Sequence, residues 1–101
     1  MFDFDSARLT TKGRAEVAFL AARLRLAHIV TCEGYTDYAG DADHELDLSR
    51  ARARAVCAAL ISNGARVRTT ARGYGGDRPV IVGGTPRSRA ANRRVIVMVT
   101  R

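Results

Sequence analysis

An acid on a glycine-flanked loop is the first residue in this sequence with the means to bind a ligand. The segment "EGYTDYAG" (residues 33–40) follows an apolar stretch and presents Thr36 and Asp37 between two glycines. Asp and Gly are common in turns for backbone reasons alone. A binding role for the Asp37 carboxylate therefore requires a partner of opposite charge elsewhere in the chain.

Arginines of the segment "LSRARARAV" (residues 48–56) offer that partner. Residues two apart do not share a helix face, so Arg50 and Arg54 are expected in solvent and Arg52 at the margin of the buried stripe. We place Arg52 near the helix N-terminus, where a cation is disfavoured but where a guanidinium and helix N–H groups together suit an anion. Asp37 and Arg52 form either a simple salt bridge or the two ends of a site for a zwitterion, the acid holding an ammonium and the arginine a carboxylate.

Other reactive side chains give no sign of catalysis or metal binding. Cys32 and Cys57 form no CxxC motif and are too few for a disulfide scaffold. Their apolar neighbours favour buried small hydrophobes, and a bridge between them is possible only if the elements carrying them touch. His28 and His44 lack metal-ligand spacing, and no serine lies in a nucleophile elbow. We predict no catalytic residue, no metal and no cofactor.

Size and charge suggest one basic soluble domain. The chain has 101 residues, 27% of them charged, with a formal net charge of +7. This length suits one domain spanning residues 1–101, and the charge favours an anionic partner such as nucleic acid, anionic lipid or an acidic cell-wall polymer. No apolar run reaches the ~20 residues of a membrane span, and the N-terminus does not resemble a signal peptide. We expect a domain excised from a larger anchored protein, with any membrane contact made by a part outside this chain.

Hydrophobic periodicity predicts an α+β fold of two layers in the order βαβαββ, with a mixed four-stranded sheet and two main helices on one face. Strands are predicted at residues 2–5, 28–32, 67–71 and 93–100, the last of them central because it is apolar on both faces. The helices are predicted to begin at Thr10 or Thr11 and, with Ser49 as N-cap, near residue 50. "NG" at 63–64 ends the second helix. The predicted core stripes are Val17, Leu20, Ala21 and Leu24 in the first helix, and Ala53, Val56, Cys57, Leu60 and Ile61 in the second.

Five short motifs give the chain a family resemblance. "FDFDSARLT", "EGYTDYAG", "LSRARARAV", "ARGYGGDRPV" and "NRRV" occur in the order and spacing of the OmpA-like C-terminal domain family, which the chain resembles over essentially its whole length. That family includes outer-membrane proteins, peptidoglycan-associated lipoproteins and flagellar-stator proteins. The resemblance implies non-covalent binding of peptidoglycan in the periplasm or cell envelope, through the zwitterionic end of meso-diaminopimelate in the stem peptide. Such a domain tethers a membrane or envelope protein to the cell wall.

Site residues follow from the same resemblance. It implies that Asp37 binds the ammonium and Arg52 the carboxylate. It also implies contributions from Asp5, Thr36, Ala39 and Arg93. Two positions depart from the family pattern. Glu45 stands where asparagine is usual, and either adds an ammonium contact or repels the ligand carboxylate; Tyr38 follows the acid and can stack on the peptide.

The last strand suggests a second surface. "VIVMV" (residues 95–99) is apolar where the family often alternates with acids, so Ile96 and Met98 are expected to face away from the helices. We expect this outer face to contact another domain or a second subunit.

Three alternatives to wall binding remain open from the residues alone. A nucleic-acid module is supported by the arginines, but the chain lacks paired stacking aromatics on adjacent strands, so no nucleic-acid partner is expected. An enzyme would need a nucleophile or metal cluster that the sequence does not offer. A protein-interaction domain that keeps the fold without the wall ligand is the third alternative, since fold alone does not fix function.

Overall fold

Two helices and three strands make up the described part of the chain. The computed structural model describes residues 2, 6–24, 29–36, 42–75 and 94–100. The elements are α1 (Thr11–Ala21), β1 (Ile29–Gly34), α2 (Ala42–Ser62), β2 (Arg68–Gly73) and β3 (Val95–Thr100). The strands pair in the order β2-β1-β3, with β1 parallel to β2 and antiparallel to β3. The predicted mixed sheet and α+β class are confirmed.

The predicted first strand falls mostly outside the described residues. Phe2 is buried and forms an isolated antiparallel bridge with Leu9, while residues 3–5 are not described. Within the described ranges β3 pairs with β1 alone, and β1 is the strand with partners on both sides. The central position of the last strand in a four-stranded sheet therefore stays a prediction.

Helix α1 begins where its capping threonine predicts. The Thr10 side chain accepts a hydrogen bond of 3.0 Å from the Gly13 N–H, which satisfies one of the free donors of the first turn. Val17 and Ala21 are buried, and Leu20 packs against the same core. The predicted stripe is confirmed for these three residues, whereas Leu24 packs against the core from beyond the end of the helix at Ala21.

Helix α2 begins earlier than its sequence predicts. Ser49 is not an N-cap, because the helix starts at Ala42 and Ser49 lies inside it. Two acids in the first turn, Asp43 and Glu45, favour this start because carboxylates are stabilised at the positive end of the helix dipole. Within the helix, the Ser49 hydroxyl donates a hydrogen bond of 2.7 Å to the Leu46 carbonyl oxygen.

The C-terminal end of α2 agrees with its sequence more closely. Gly64 adopts a φ of 92°, the left-handed conformation that glycine permits just after a helix. Ile61 is 47% exposed, so its predicted place in the core stripe is wrong. The other four predicted residues of that stripe, from Ala53 to Leu60, are buried.

One core lies between α2 and the sheet. Val30 and Cys32 alternate inward along β1 and meet Val56 and Leu60 of α2, as the two-residue period of a strand requires. Each fully buried aliphatic side chain contributes about 1.5–3 kcal/mol relative to exposure. Helix α1 packs against α2 and adds its buried side chains to the same cluster.

The opposite face of the sheet is open and partly apolar. Ile96 and Met98 of β3 are 40% and 50% exposed, and Ile29 of β1 is 44% exposed. The prediction that Ile96 and Met98 face away from the helices is confirmed.

None of the helices in the described ranges combines the length and the apolar character that a membrane crossing demands.

Candidate functional site

Two glycines bring α2 against the ends of the parallel strands. Gly34 of β1 and Gly73 of β2 are partners in the sheet register. A Cβ atom on Gly34 would overlap the Ser49 carbonyl oxygen, and one on Gly73 would crowd the Ser49 hydroxyl and the Arg50 side chain. The helix therefore lies closer to these strand ends than any side chain would permit, and the residues that follow the strands meet its middle turns.

Ser49 connects α2 to the segment after β2. Its hydroxyl accepts a hydrogen bond of 2.9 Å from the Gly75 N–H, while the Gly75 carbonyl oxygen accepts one of 3.0 Å from the Thr36 N–H. Gly75 is buried and has a φ of +62°, a conformation that side chains other than glycine rarely adopt. These bonds fix the backbone of Thr36 relative to α2.

Thr36 itself is buried with its hydroxyl inside the protein. Its exposed fraction is 2%, and Oγ1 finds no hydrogen-bond partner among the described residues. A buried hydroxyl without a partner is costly, so this atom is suited to contact a ligand or the loop that follows. That loop carries the predicted Asp37, Tyr38 and Ala39, which lie outside the described residues.

Arg52 is fully buried in the middle of α2. Its exposed fraction is 0%, Nε–H donates to the Ser6 carbonyl oxygen at 2.8 Å, and the guanidinium carbon lies 5.4 Å from the centroid of the Phe2 ring. Two expectations are thereby wrong. Arg52 is not at the margin of the buried stripe, because the N-terminal segment covers it. Nor is it near the helix N-terminus, because α2 begins at Ala42.

Neighbouring charges on α2 behave as their spacing predicts. Arg50 and Arg54 are exposed, and the ion pair of Arg50 with Asp47 spans 3.9 Å between exposed side chains, an interaction that adds little stability. Glu45 is half-buried in the first turn.

The described residues bring three of the predicted site residues to one end of the sheet. A Cβ on Gly75 would lie 3.8 Å from the carbonyl carbon of Glu45, so Glu45 and Thr36 flank the same glycine. Arg52 lies one turn after Ser49 on the same helix face. The predicted Asp5 and Arg93 lie outside the described residues.

An aromatic cluster at this end of the sheet was not predicted. The rings of Tyr35 and Tyr74 stack with centroids 5.4 Å apart. The guanidinium carbon of Arg94 lies 3.9 Å from the centroid of the Tyr35 ring, within the range of a cation–π interaction. Both tyrosine hydroxyls donate to the Glu33 carboxylate, at 3.3 and 3.4 Å. One signal could have predicted this cluster. Tyr35, Tyr74 and Arg94 each lie next to the end of a different strand, and these strand ends meet at the same end of the sheet.

The cluster holds a partly desolvated cation. Burial lowers the pKa of Arg94, and the neighbouring Tyr35 acts in the opposite direction. Tyr35 and Arg94 also exchange two backbone hydrogen bonds, of 2.8 and 3.3 Å. Tyr35, two residues before Asp37, is therefore held through both its backbone and its side chain.

Within the described ranges no group of three or more His, Cys, Asp or Glu residues is placed to hold a metal ion. The described residues offer a buried guanidinium, a buried hydroxyl and a half-buried residue with a carboxylate side chain.

Comparison with known proteins identifies the family. The sequence model described as "OmpA family" matches residues 1–93. The chain belongs to the OmpA family. The family resemblance seen in the sequence motifs is thus confirmed.

Relatives of this OmpA-family domain are proteins of the bacterial envelope. Outer membrane porin F of Pseudomonas aeruginosa is 37% identical over 100 residues, which cover 93% of this chain and 28% of the porin. The probable lipoprotein YiaD of Escherichia coli is 35% identical over 98% of this chain and 47% of its own length. The chain thus spans less than a third of the first relative and under half of the second.

A solved structure confirms the fold. The peptidoglycan-associated lipoprotein of Burkholderia pseudomallei superposes with a TM-score of 0.90 and 31% identity, covering 98% of this chain and 86% of that one. The α+β architecture inferred from the sequence is the architecture of that protein.

Proposed function

We propose that this domain binds peptidoglycan non-covalently through the meso-diaminopimelate of the stem peptide and so tethers an envelope protein to the cell wall. Membership of the OmpA family and the likeness to a peptidoglycan-associated lipoprotein support this function. The relatives, named as outer-membrane proteins and a lipoprotein, are proteins of the cell envelope, and the domain works in that compartment. Binding breaks no covalent bond, and we assign the domain no catalytic step.

The observation that carries the proposal is the buried Arg52. A guanidinium fixed by its Nε–H on the Ser6 carbonyl oxygen is preoriented, and its planar array of donors matches a carboxylate. In this proposal the guanidinium holds the ligand carboxylate. Asp37 is the proposed partner of the ligand ammonium.

The remaining site residues have supporting roles in the proposal. The Thr36 hydroxyl, buried without a partner among the described residues, donates to or accepts from the ligand. Glu45 adds negative charge near the ammonium. The roles of Asp5, Ala39 and Arg93 rest on the family resemblance. Tyr38 departs from the family pattern, and in this proposal it stacks on the peptide.

Cosedimentation with purified sacculi tests this function. The wild-type domain should pellet with sacculi whose stem peptides contain meso-diaminopimelate, and less with lysine-type sacculi, which lack the carboxylate that Arg52 holds. Arg52→Lys should reduce the pelleted fraction, whereas the matched exposed change Arg54→Lys should leave it unaltered. Equal pelleting with both types of sacculi, or an unaffected Arg52→Lys variant that remains folded, would overturn the assignment.

A basic interaction module without a wall ligand is the second candidate, supported by the formal net charge of +7. Binding to duplex DNA with steep salt dependence, together with no binding to sacculi, would favour it.

A second copy of the chain is the proposed occupant of the outer sheet face. Ile96 and Met98 lie opposite Glu33 and Thr31 in the register of β1 and β3, and both apolar side chains are exposed. A two-fold axis through this face would place the same patch on both partners.

A further inference from the structure

Two buried thiols outside the proposed binding site lie in the same core cluster. Cys32 lies on β1 and Cys57 on α2, both are free, and both are buried. The Cys57 Sγ lies 3.7 Å from the Thr70 carbonyl oxygen, next to Ala71, which is the register partner of Cys32.

Cys32 and Cys57 lie on the two elements, β1 and α2, that position the candidate site. Helix α2 packs directly on β1, and Cys32 and Cys57 belong to one core cluster. A bridge between cysteines requires the elements that carry them to touch, and here they do. The buried surroundings contain no other described cysteine with which either thiol could pair.

We propose that Cys32 and Cys57 form an intramolecular disulfide that joins α2 to the central strand of the described sheet. The closed loop contains the candidate residues Thr36, Glu45 and Arg52 and the segment that carries Asp37. Such a bridge limits how far the end of β1 and the middle of α2 can separate. The inference rests on the proposed function in one respect only, since the cell envelope is a compartment in which disulfides persist.

The reaction is a thiol–disulfide exchange with an external disulfide, either glutathione disulfide or a disulfide-bearing oxidoreductase. One cysteine thiolate attacks a sulfur of that disulfide, forming a mixed disulfide and releasing one thiol of the oxidant. The second cysteine then attacks the protein sulfur of the mixed disulfide and releases the other thiol. The two cysteines lose two electrons and two protons, and the oxidant is reduced to two thiols.

Exposure indicates which thiol attacks first. Cys57 is the more accessible, at 6% exposed against 0% for Cys32. Cys57 therefore attacks the oxidant, because thiol–disulfide exchange requires access to the attacking sulfur, and Cys32 resolves the mixed disulfide.

Refolding in a glutathione redox buffer tests the bridge. After denaturation and alkylation, mass spectrometry should find no alkylated cysteine in the wild-type chain and a mass about 2 Da below the reduced form. The thermal midpoint of the oxidised protein should lie on the order of 10 °C above that of the same protein in dithiothreitol. Neither Cys32→Ala nor Cys57→Ala should respond to dithiothreitol in this way.

The single variants also test the order of attack. Cys32→Ala should accumulate a mixed disulfide with glutathione on Cys57, and Cys57→Ala should accumulate much less on Cys32. Should a variant fail to fold, the comparison of wild-type protein with and without dithiothreitol remains decisive. Two alkylated cysteines in folded protein after exposure to glutathione disulfide, or a bridged form with a lower midpoint, would overturn the inference. A bridged protein that ignores sacculi would instead contradict the proposed function alone.

Discussion

At the scale of single residues, the site is organised around polar groups that the fold buries. Arg52, Ser49 and Thr36 are all buried, and each one needs a partner inside the protein or in a ligand. Arg52 uses the Ser6 carbonyl oxygen, and Ser49 uses the backbone of Leu46 and Gly75. These residues therefore contribute both to stability and to the shape of the site.

Replacing Thr36 with valine should separate stability from binding. Valine keeps the shape of threonine and removes a buried hydroxyl that has no partner among the described residues. We expect the free energy of unfolding, measured with urea, to stay the same or to rise by up to about 1 kcal/mol. Affinity for a meso-diaminopimelate peptide should fall. A clear loss of stability with unaltered affinity would show that the hydroxyl serves the fold and not the ligand.

Replacing Ser49 with alanine should destabilise the domain. The buried Gly75 N–H would lose its acceptor, and an unsatisfied buried donor costs about 1–3 kcal/mol. The matched control is Ser62→Ala at the exposed end of the same helix, for which urea denaturation should show little change. Equal midpoints for the two variants would contradict the role assigned to Ser49.

Sequence reasoning predicted that Arg52 differs from its neighbouring arginines but did not predict its surroundings. The helical spacing correctly set Arg52 apart from Arg50 and Arg54, which are exposed. It did not reveal that Ser6, distant along the chain, covers Arg52. The bond from Gly75 to Ser49 was missed for the same reason, because local patterns carry no information on contacts between distant segments.

At the scale of secondary-structure elements, the close contact of α2 with the strand ends positions the site. Gly34 and Gly73 are paired across the parallel strands, and side-chain atoms at either position would overlap α2. The backbone that carries Thr36 follows directly. The geometry of the candidate site thus depends on two glycines that were not among its predicted residues.

Gly34→Ala should therefore damage both folding and binding. Its new methyl group would overlap the Ser49 carbonyl oxygen, and such overpacking costs about 1–3 kcal/mol or forces α2 away from β1. Gly64→Ala is the control, since nothing lies within 4 Å of its Cβ position and only its φ of +92° opposes the change. We expect Gly64→Ala to lower the urea midpoint and to leave peptide affinity unaltered, while Gly34→Ala lowers both. Normal affinity in Gly34→Ala would contradict the positioning role of this contact.

Element types were more predictable than element ends. Thr10 was a sound N-cap because it precedes an uninterrupted helical stripe. Ser49 was an equally good N-cap by residue type, but the acids at 43 and 45 extend the helix upstream to Ala42. Because the start of α2 was misplaced, Arg52 was assigned to a helix terminus when it lies in the middle of the helix.

At the scale of the whole molecule, the two faces of the sheet have different roles. One face packs on α2 and holds the core, including Val30 and Cys32. The other exposes Ile29, Ile96 and Met98, an apolar surface that suits association better than solvent.

Met98→Glu should weaken self-association. A charge at this position would have to be desolvated in a dimer that uses the outer face. Analytical ultracentrifugation should show a wild-type dimer that Met98→Glu dissociates. Phe19→Glu is the control, because Phe19 is 62% exposed on α1, away from the sheet. A wild-type protein that stays monomeric at high concentration would exclude this interface.

Calorimetric titration with a meso-diaminopimelate peptide tests the central claim most directly. Wild-type protein, Asp37→Asn, Arg52→Lys and the exposed control Arg54→Lys should be compared, with folding of each verified by circular dichroism. We predict that Asp37→Asn and Arg52→Lys each lose about 2 kcal/mol or more of binding free energy. Asparagine removes the charge that pairs with the ligand ammonium, and lysine keeps the positive charge but loses the planar, bidentate donors that hold the carboxylate. Arg54→Lys should bind like the wild type. Unaltered affinity in both folded site variants would contradict a zwitterion held between Asp37 and Arg52.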